Sequence, residues 1–214
     1  MKLNKKFGEL FFILISLGIR GSLRLTFSKI FSLDHYYILG RSLTFPLKYP
    51  LSRKPDTQLS LLTDDDYTII KKNLINLNLD DRREILARLN FYHNGFNNCY
   101  VIKSGNEIAY LQWIIFPTEN HIIQKNYSNK FYPLTEKQVM IENVFIFPRF
   151  RGRGYLPFGT IQLLESAIHK GYASAICYIR KDRITTLNEF TRLGFKIVKL
   201  VREYRFMGKV WRAL

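Results

Sequence analysis

A chain of 214 residues that is 47% hydrophobic and 23% charged can bury a core, which excludes a disordered chain and fits one large domain or one domain with an extension. Its two cysteines, Cys99 and Cys177, give no disulfide framework and read as buried free thiols, and the four scattered histidines lack ligand spacing, so no metal site is expected. The formal charge of +16 gathers at both ends, +8 over residues 1–54 and +10 over residues 148–214, and such surfaces attract phosphates of any kind: nucleic acid, anionic lipid or a phosphorylated cofactor.

Lys2, Lys5 and Lys6 precede an apolar run over residues 10–19, shorter than the roughly 20 residues that span a bilayer. The Arg20-Gly21-Ser22-Leu23-Arg24 that follows is a poor signal-peptide cleavage site. Leu23, Phe27, Ile30 and Phe31 continue at helical spacing with Arg20, Arg24 and Lys29 between them. Residues 1–60 therefore read as a basic, apolar helical extension and a linker marked by Pro46, Pro50 and Pro55. Within it, residues 7–33 could pack on the domain or lie in a membrane interface.

The domain proper is expected over residues 61–214. Thr63-Asp64-Asp65-Asp66 caps a helix that carries the stripe Tyr67, Ile69, Ile70 and Leu74. A second helix is expected near residues 81–90. At residue 98 the period changes to that of strands, and residues 99–103, 104–106 and 107–116 read as a β-hairpin. Residues 117–134 read as a long loop of the kind that carries function. Then come a strand over 138–147, a helix over 152–170 ended by Gly171, a buried strand over 173–179, a short helix over 184–193 stopped by Gly194, and closing strands over 195–207 and 210–211.

The informative segment is Pro148-Arg149-Phe150-Arg151-Gly152-Arg153-Gly154-Tyr155, which follows a strand and opens a helix. Glycines there let backbone N–H groups approach a ligand closely, and the first helical turn adds unpaired donors and the positive end of the dipole. The segment lacks the third glycine and the acidic residue of a dinucleotide fold, and the Gly-Lys-Ser/Thr of a Walker A loop.

Ile146-Phe147-Pro148, then Arg151-Gly152-Arg153-Gly154-Tyr155-Leu156, and later Phe190-Thr191-Arg192-Leu193-Gly194-Phe195 resemble the signature of the GNAT (Gcn5-related) N-acetyltransferase superfamily. The likeness is strong over residues 138–195 and weak before residue 98. Leu156 stands where that family has Gly or Ala, Phe190 where it often has a thiolate-protonating Tyr, and Arg183 where it often has Asn. The resemblance implies an α+β fold, a mixed, V-splayed sheet flanked by helices, with acyl-CoA in the gap. It implies a cofactor site in which Ile146 pairs its backbone with the pantetheine arm. The N–H groups of Arg151, Gly152, Arg153, Gly154, Tyr155 and Leu156 would hold the pyrophosphate.

The reaction implied is direct attack of a primary amine on the thioester of acetyl-CoA or another acyl-CoA, without a metal. Glu142 is the candidate general base, four residues before Ile146 and so expected on the same strand face. A carboxylate on a strand this apolar should have a raised pKa. Tyr155, Tyr178 and Tyr204 are candidates to replace the missing acid. Tyr100 and Trp113 are the candidate substrate-binding aromatics, with Tyr110, Tyr127 and Tyr132 behind them. An acidic acyl carrier protein is a second donor that the basic surface suits. A non-catalytic acyl-CoA-binding module and a basic membrane- or nucleic-acid-binding protein are the alternatives, with nucleic acid not expected as the partner. The expected location is cytoplasmic, with residues 7–33 able to add a peripheral membrane contact.

Overall fold

The structure, a computed structural model, describes residues 31–44, 58–207 and 209–213. Its strands are β1 Phe31–Ser42, β2 Leu59–Leu61, β3 Cys99–Ser104, β4 Glu107–Ile115, β5 Gln138–Ile146, β6 Ser174–Arg180, β7 Lys196–Phe206 and β8 Lys209–Ala213. They form one mixed sheet in the order β2-β3-β4-β5-β6-β1-β7-β8, antiparallel throughout except at β5–β6. The longer helices are α1 Asp64–Asn73, α2 Leu79–His93, α3 Tyr155–His169 and α4 Ile184–Arg192.

Helices flank both faces, as an α+β fold of this kind requires. On one face Ile70 of α1 and Ile85 and Leu89 of α2 join Phe96, Val101 and Trp113 in a buried cluster. On the other, Leu163, Leu164 and Ala167 of α3 and Phe190 of α4 pack with Leu39, Val139, Ile141 and Cys177. Local signals start the helices where the sequence places them. Thr63 accepts from the N–H of Asp66 (3.2 Å) while Asp66 accepts from the N–H of Thr63 (3.1 Å), a reciprocal cap. Asn78 caps α2 by accepting from the N–H of Asp81 (2.8 Å). Cys99 and Cys177 are free and buried.

Two expectations need correction. Residues 31–42, assigned to the helical extension, are a central strand: β1 pairs β6 over Tyr36–Ser42 and β7 over Phe31–Gly40. Ile38 enters one core cluster and Leu39 the other, so the run Tyr36-Tyr37-Ile38-Leu39 serves a strand buried on both faces. A short continuous apolar run of this kind does not declare its period, and the helical spacing upstream masked it. The rest of the extension, residues 1–30, and the prolines of the linker lie outside the described residues. The second correction concerns residues 117–134. They are not an open loop but a chain of helical turns from Pro117 to Tyr127, with Ile122, Ile123, Tyr127, Phe131 and Leu134 buried.

β5 positions the site. It pairs with β6 only at Gln138↔Ser174, Val139↔Ala175 and Met140↔Ile176, and from there the two strands part. On its other edge the register with β4 jumps from Trp113↔Glu142 to Leu111↔Phe145, one residue more on β5 than on β4. Asn143 takes up the excess at φ 56°. The sheet thus opens into a V at this bulge.

Candidate active site

The V leads into a cleft of about 1000 Å3 that runs from the β5–α3 turn, past the bulge, to the ends of β7 and β8. Glu142 lines it at the point where β5 and β6 separate. The N–H of Tyr178, beyond the last β5–β6 pairing, donates instead to Oε1 of Glu142 at 2.6 Å. The carboxylate therefore ties the parted strands together and still faces the cleft. Burial pushes its pKa up to about 7, against the opposing pull of the Tyr178 bond and the Arg212 charge.

The bulge alters one step of the sequence reasoning. Glu142 is opposite Trp113 and Ile146 is opposite Tyr110, three residues apart on a regular stretch of β4. The inserted residue therefore places Glu142 and Ile146 on opposite strand faces, not the same one. Both still line the cleft, because the V opens it to both faces of the sheet.

The glycine turn has the backbone its sequence requires. Gly152 and Gly154 adopt φ 73° and 79°, and Gly154 is the N-cap of α3. The N–H groups of Gly152 through Leu156 precede the first α3 bond, from the N–H of Phe158 to the carbonyl of Gly154 (3.2 Å). A Cβ at Gly152 would meet nothing within 4 Å, so a ligand phosphate has room to approach. These features fit a pyrophosphate.

The arginines of the turn are divided among different tasks. Arg149 is paired to Glu107 (2.6 Å and 2.7 Å), away from the cleft. Arg151 pairs with Asp81, and its Nε donates to the carbonyl of Ile146 (3.3 Å). Arg153 lies over the Phe150 ring at 5.6 Å. Sequence reasoning missed the part played by α2. Arg88 donates from Nε to the carbonyl of Val144 (2.8 Å), beside the bulge, and pairs with Glu84, which also holds Arg183. The spacing Asp81, Glu84, Arg88 was the available signal, since it puts three charges on one helix face.

Four of the five aromatic candidates, Tyr100, Tyr110, Trp113 and Tyr132, fall outside the cleft, and the fifth, Tyr127, lines it. Trp113 is fully buried, its Nε1 donating to the carbonyl of Phe96 (3.0 Å), and it is a core residue. Tyr100, opposite Gln112 in the β3–β4 pair, packs against the α3–α4 side of the core. The rings that do line the cleft include Tyr36, Phe131 and Tyr178. Tyr155 lines it as well, whereas Tyr204 stacks on Trp211 (5.8 Å) outside it. Phe190 is 2% exposed against Phe195 and offers no proton. Among the described residues no cluster of three His, Cys, Asp or Glu could hold a metal ion, and no helix is long and apolar enough to cross a membrane.

No family model matches the sequence, and neither does any curated protein. The fold is similar to several solved structures. One is a GCN5-related N-acetyltransferase from Sphaerobacter thermophilus, with a TM-score of 0.52 and 12% identity over 89% of this chain and 58% of that one. A second is a GNAT-family acetyltransferase from Colwellia psychrerythraea, with a TM-score of 0.51 and 9% identity over 87% and 62%. A third is a protein of unknown function from Staphylococcus epidermidis, with a TM-score of 0.52 and 13% identity over 86% and 64%. The chain thus spans between 58% and 64% of the length of these three. With its sheet parted at a bulge and a glycine turn opening the following helix, the chain has the fold of the GNAT N-acetyltransferases.

Proposed function

We propose that the protein transfers an acyl group from acyl-CoA to a primary amine, with Glu142 as the general base. The observation that supports this best is the carboxylate of Glu142 at the fork of β5 and β6, in the same cleft as the turn of Gly152 and Gly154. The N–H groups of that turn, from Gly152 to Leu156, would hold the pyrophosphate, the N–H of Arg151 being taken by the carbonyl of Pro148 (3.3 Å). The freed edge of β5 near Ile146 would align the pantetheine arm, and a strand N–H there would face the thioester oxygen.

In the transfer, the amine nitrogen bonds to the thioester carbonyl carbon, the C–S bond breaks, the amine proton passes to Glu142, and CoA leaves as the thiolate. A base with a pKa of about 7 suits this task near neutral pH. Tyr155 or Tyr178, both of which line the cleft, would supply the proton to the thiolate, since Phe190 has none. Acetyl is the donor group first to be tried, and an acyl carrier protein is the second donor to test. A cytoplasmic location accords with a CoA-dependent reaction.

The test is thermal unfolding with and without acetyl-CoA, in the wild type and in Gly152→Trp. Ligand at about 100 times its Kd stabilises by about 2.7 kcal/mol. A Cβ at Gly152 meets open space, so the variant is expected to bear backbone strain of about 1–2 kcal/mol and to fold, which its own unfolding transition checks. A rise in midpoint confined to the wild type is expected. No rise with acetyl-CoA, longer acyl-CoAs or CoA would overturn the proposal, and a rise without acetyl transfer to any amine would mark a binding module.

A further inference from the structure

The end of the cleft opposite the glycine turn has a charge pattern that acyl-CoA binding does not use. Arg212 of β8 is buried there, its side chain 6% exposed, with its guanidinium carbon 3.8 Å from the Tyr36 ring centre. The Phe131 and Tyr178 rings lie 5.4 Å and 5.3 Å from it. Its Nε donates to Glu203 (2.8 Å) and its Nη1 to the carbonyl of Lys130 (3.0 Å). Arg205 reaches the same carboxylate at 3.9 Å, and the side chain of Lys130 also lines this end.

Three cations therefore crowd one buried carboxylate, with Arg212 buried among the rings and Arg205 left half-exposed. Burial, with Arg212 and Arg205 adding to it, holds the Lys130 ammonium below its usual pKa, and Glu203 offsets this only in part. A second anion would complete the set, in a setting where charge-assisted bonds are strong. A single residue links this cluster to the proposed base: the N–H of Tyr178 is on Glu142 at 2.6 Å and its ring borders Arg212.

We infer that the amine accepted by this site carries an anionic group of its own, a carboxylate or a phosphate. The anion is held by Lys130, Arg205 and Arg212 while the amine meets Glu142. This rests on the acyl-transfer reading of the cleft. The excess positive charge at this end also disfavours polyamines and unsubstituted alkylamines, whose second cation or bare chain would meet Lys130, Arg205 and Arg212 with Glu203 alone among them to offset the charge.

The experiment uses matched acceptors with and without the anion: glycine against glycinamide, phenylalanine against phenylalaninamide, and phosphoethanolamine against ethanolamine. Each is scored by initial rate with acetyl-CoA and, independently of turnover, by the thermal midpoint it produces. The first two pairs report a carboxylate site and the third a phosphate site. In at least one pair the anionic member should be favoured about tenfold or more in kcat/KM and should alone raise the midpoint.

Two variants should erase that preference. Arg205→Ser removes a half-exposed cation. Lys130→Gln removes a second cation and leaves the buried Arg212–Glu203 pair intact, so it is expected to fold. Neutral members of every pair serving as well as the anionic ones would overturn the inference and leave acyl transfer standing. So would a preference that survives both variants. Selective stabilisation by an anionic acceptor with no transfer would uphold the anion site and refute the transferase reading instead.

Discussion

Replacing Glu142 by Gln separates the two things its carboxylate does, because it keeps an oxygen for the Tyr178 N–H at 2.6 Å and removes the ionisation. In the folded protein burial raises the pKa from 4.5 to about 7. At about 1.4 kcal/mol for each tenfold change in proton affinity, the ionised carboxylate costs the folded state about 3 kcal/mol. The sign follows from the proton count. Between pH 4.5 and about 7 the folded chain holds a proton that the unfolded chain has lost, so wild-type stability declines as pH rises through this window. Gln has nothing to titrate. The variant should therefore match the wild type at pH 4.5 and exceed it by about 2–3 kcal/mol at pH 8 in urea unfolding. Its rate of acyl transfer should fall by about 10²–10⁴-fold, and the wild-type kcat/KM should rise with pH through about 7. Equal stability at both pH values would refute the burial argument. A stability gain without a loss of rate would leave Glu142 as a tie between β5 and β6 and remove it as the base.

Three further predictions test the scaffold around it. Gly159→Ala would put a methyl 2.5 Å from the ring of Tyr110, which is fully buried and cannot yield, so a loss of about 1–3 kcal/mol is expected in denaturant unfolding. Asn143→Gly relieves a left-handed backbone at φ 56° and deletes a buried side-chain amide nitrogen that has no partner, so the thermal midpoint should hold or rise by the equivalent of up to about 1 kcal/mol. Arg88→Met removes the bond to the Val144 carbonyl (2.8 Å) and should cost about 1–3 kcal/mol, measured by urea unfolding.

Apart from the helical turns of Pro117 to Tyr127, the half of the chain after residue 98 was legible because each element there announces itself within a few residues. The strand of Gln138–Ile146, the glycines at 152 and 154 and the stop at Gly194 are local signals, and each element lies within two or three residues of its expected bounds. Pairing is not local. Nothing in Phe31–Ser42 states that its partners lie at residues 174–180 and 196–206, so the strand passed for the end of a helical extension. The bulge was hidden for a related reason. Asn143 is one polar residue in an apolar strand, and only the β4 register reveals that it inverts the face of everything after it. Trp113 and Tyr100 misled because an aromatic on a strand fits a core and a cleft equally well, and burial is decided by packing from elsewhere in the chain.

The misplaced strand also decides the chemistry at the far end of the cleft. Inserted between β6 and β7, β1 keeps the two from pairing and brings Tyr36 opposite Arg180 on one side and Val201 on the other. The displaced β7 must then find its second partner in β8, and that pairing sets Arg212 opposite Glu203. Arg212 is thereby folded back over Tyr36, against Tyr178 of β6, whose backbone holds Glu142. Three strands remote in sequence thus converge on one guanidinium. The glycine turn and the bulge depend on β4, β5 and α3, which meet this arrangement at the bond between Tyr178 and Glu142. The donor end of the cleft is accordingly built from contiguous sequence and the acceptor end from the insertion of β1. Substitutions at the β1–β7–β8 end should change which amine is used before they change the use of acyl-CoA, a separation that kcat/KM for each substrate measures directly.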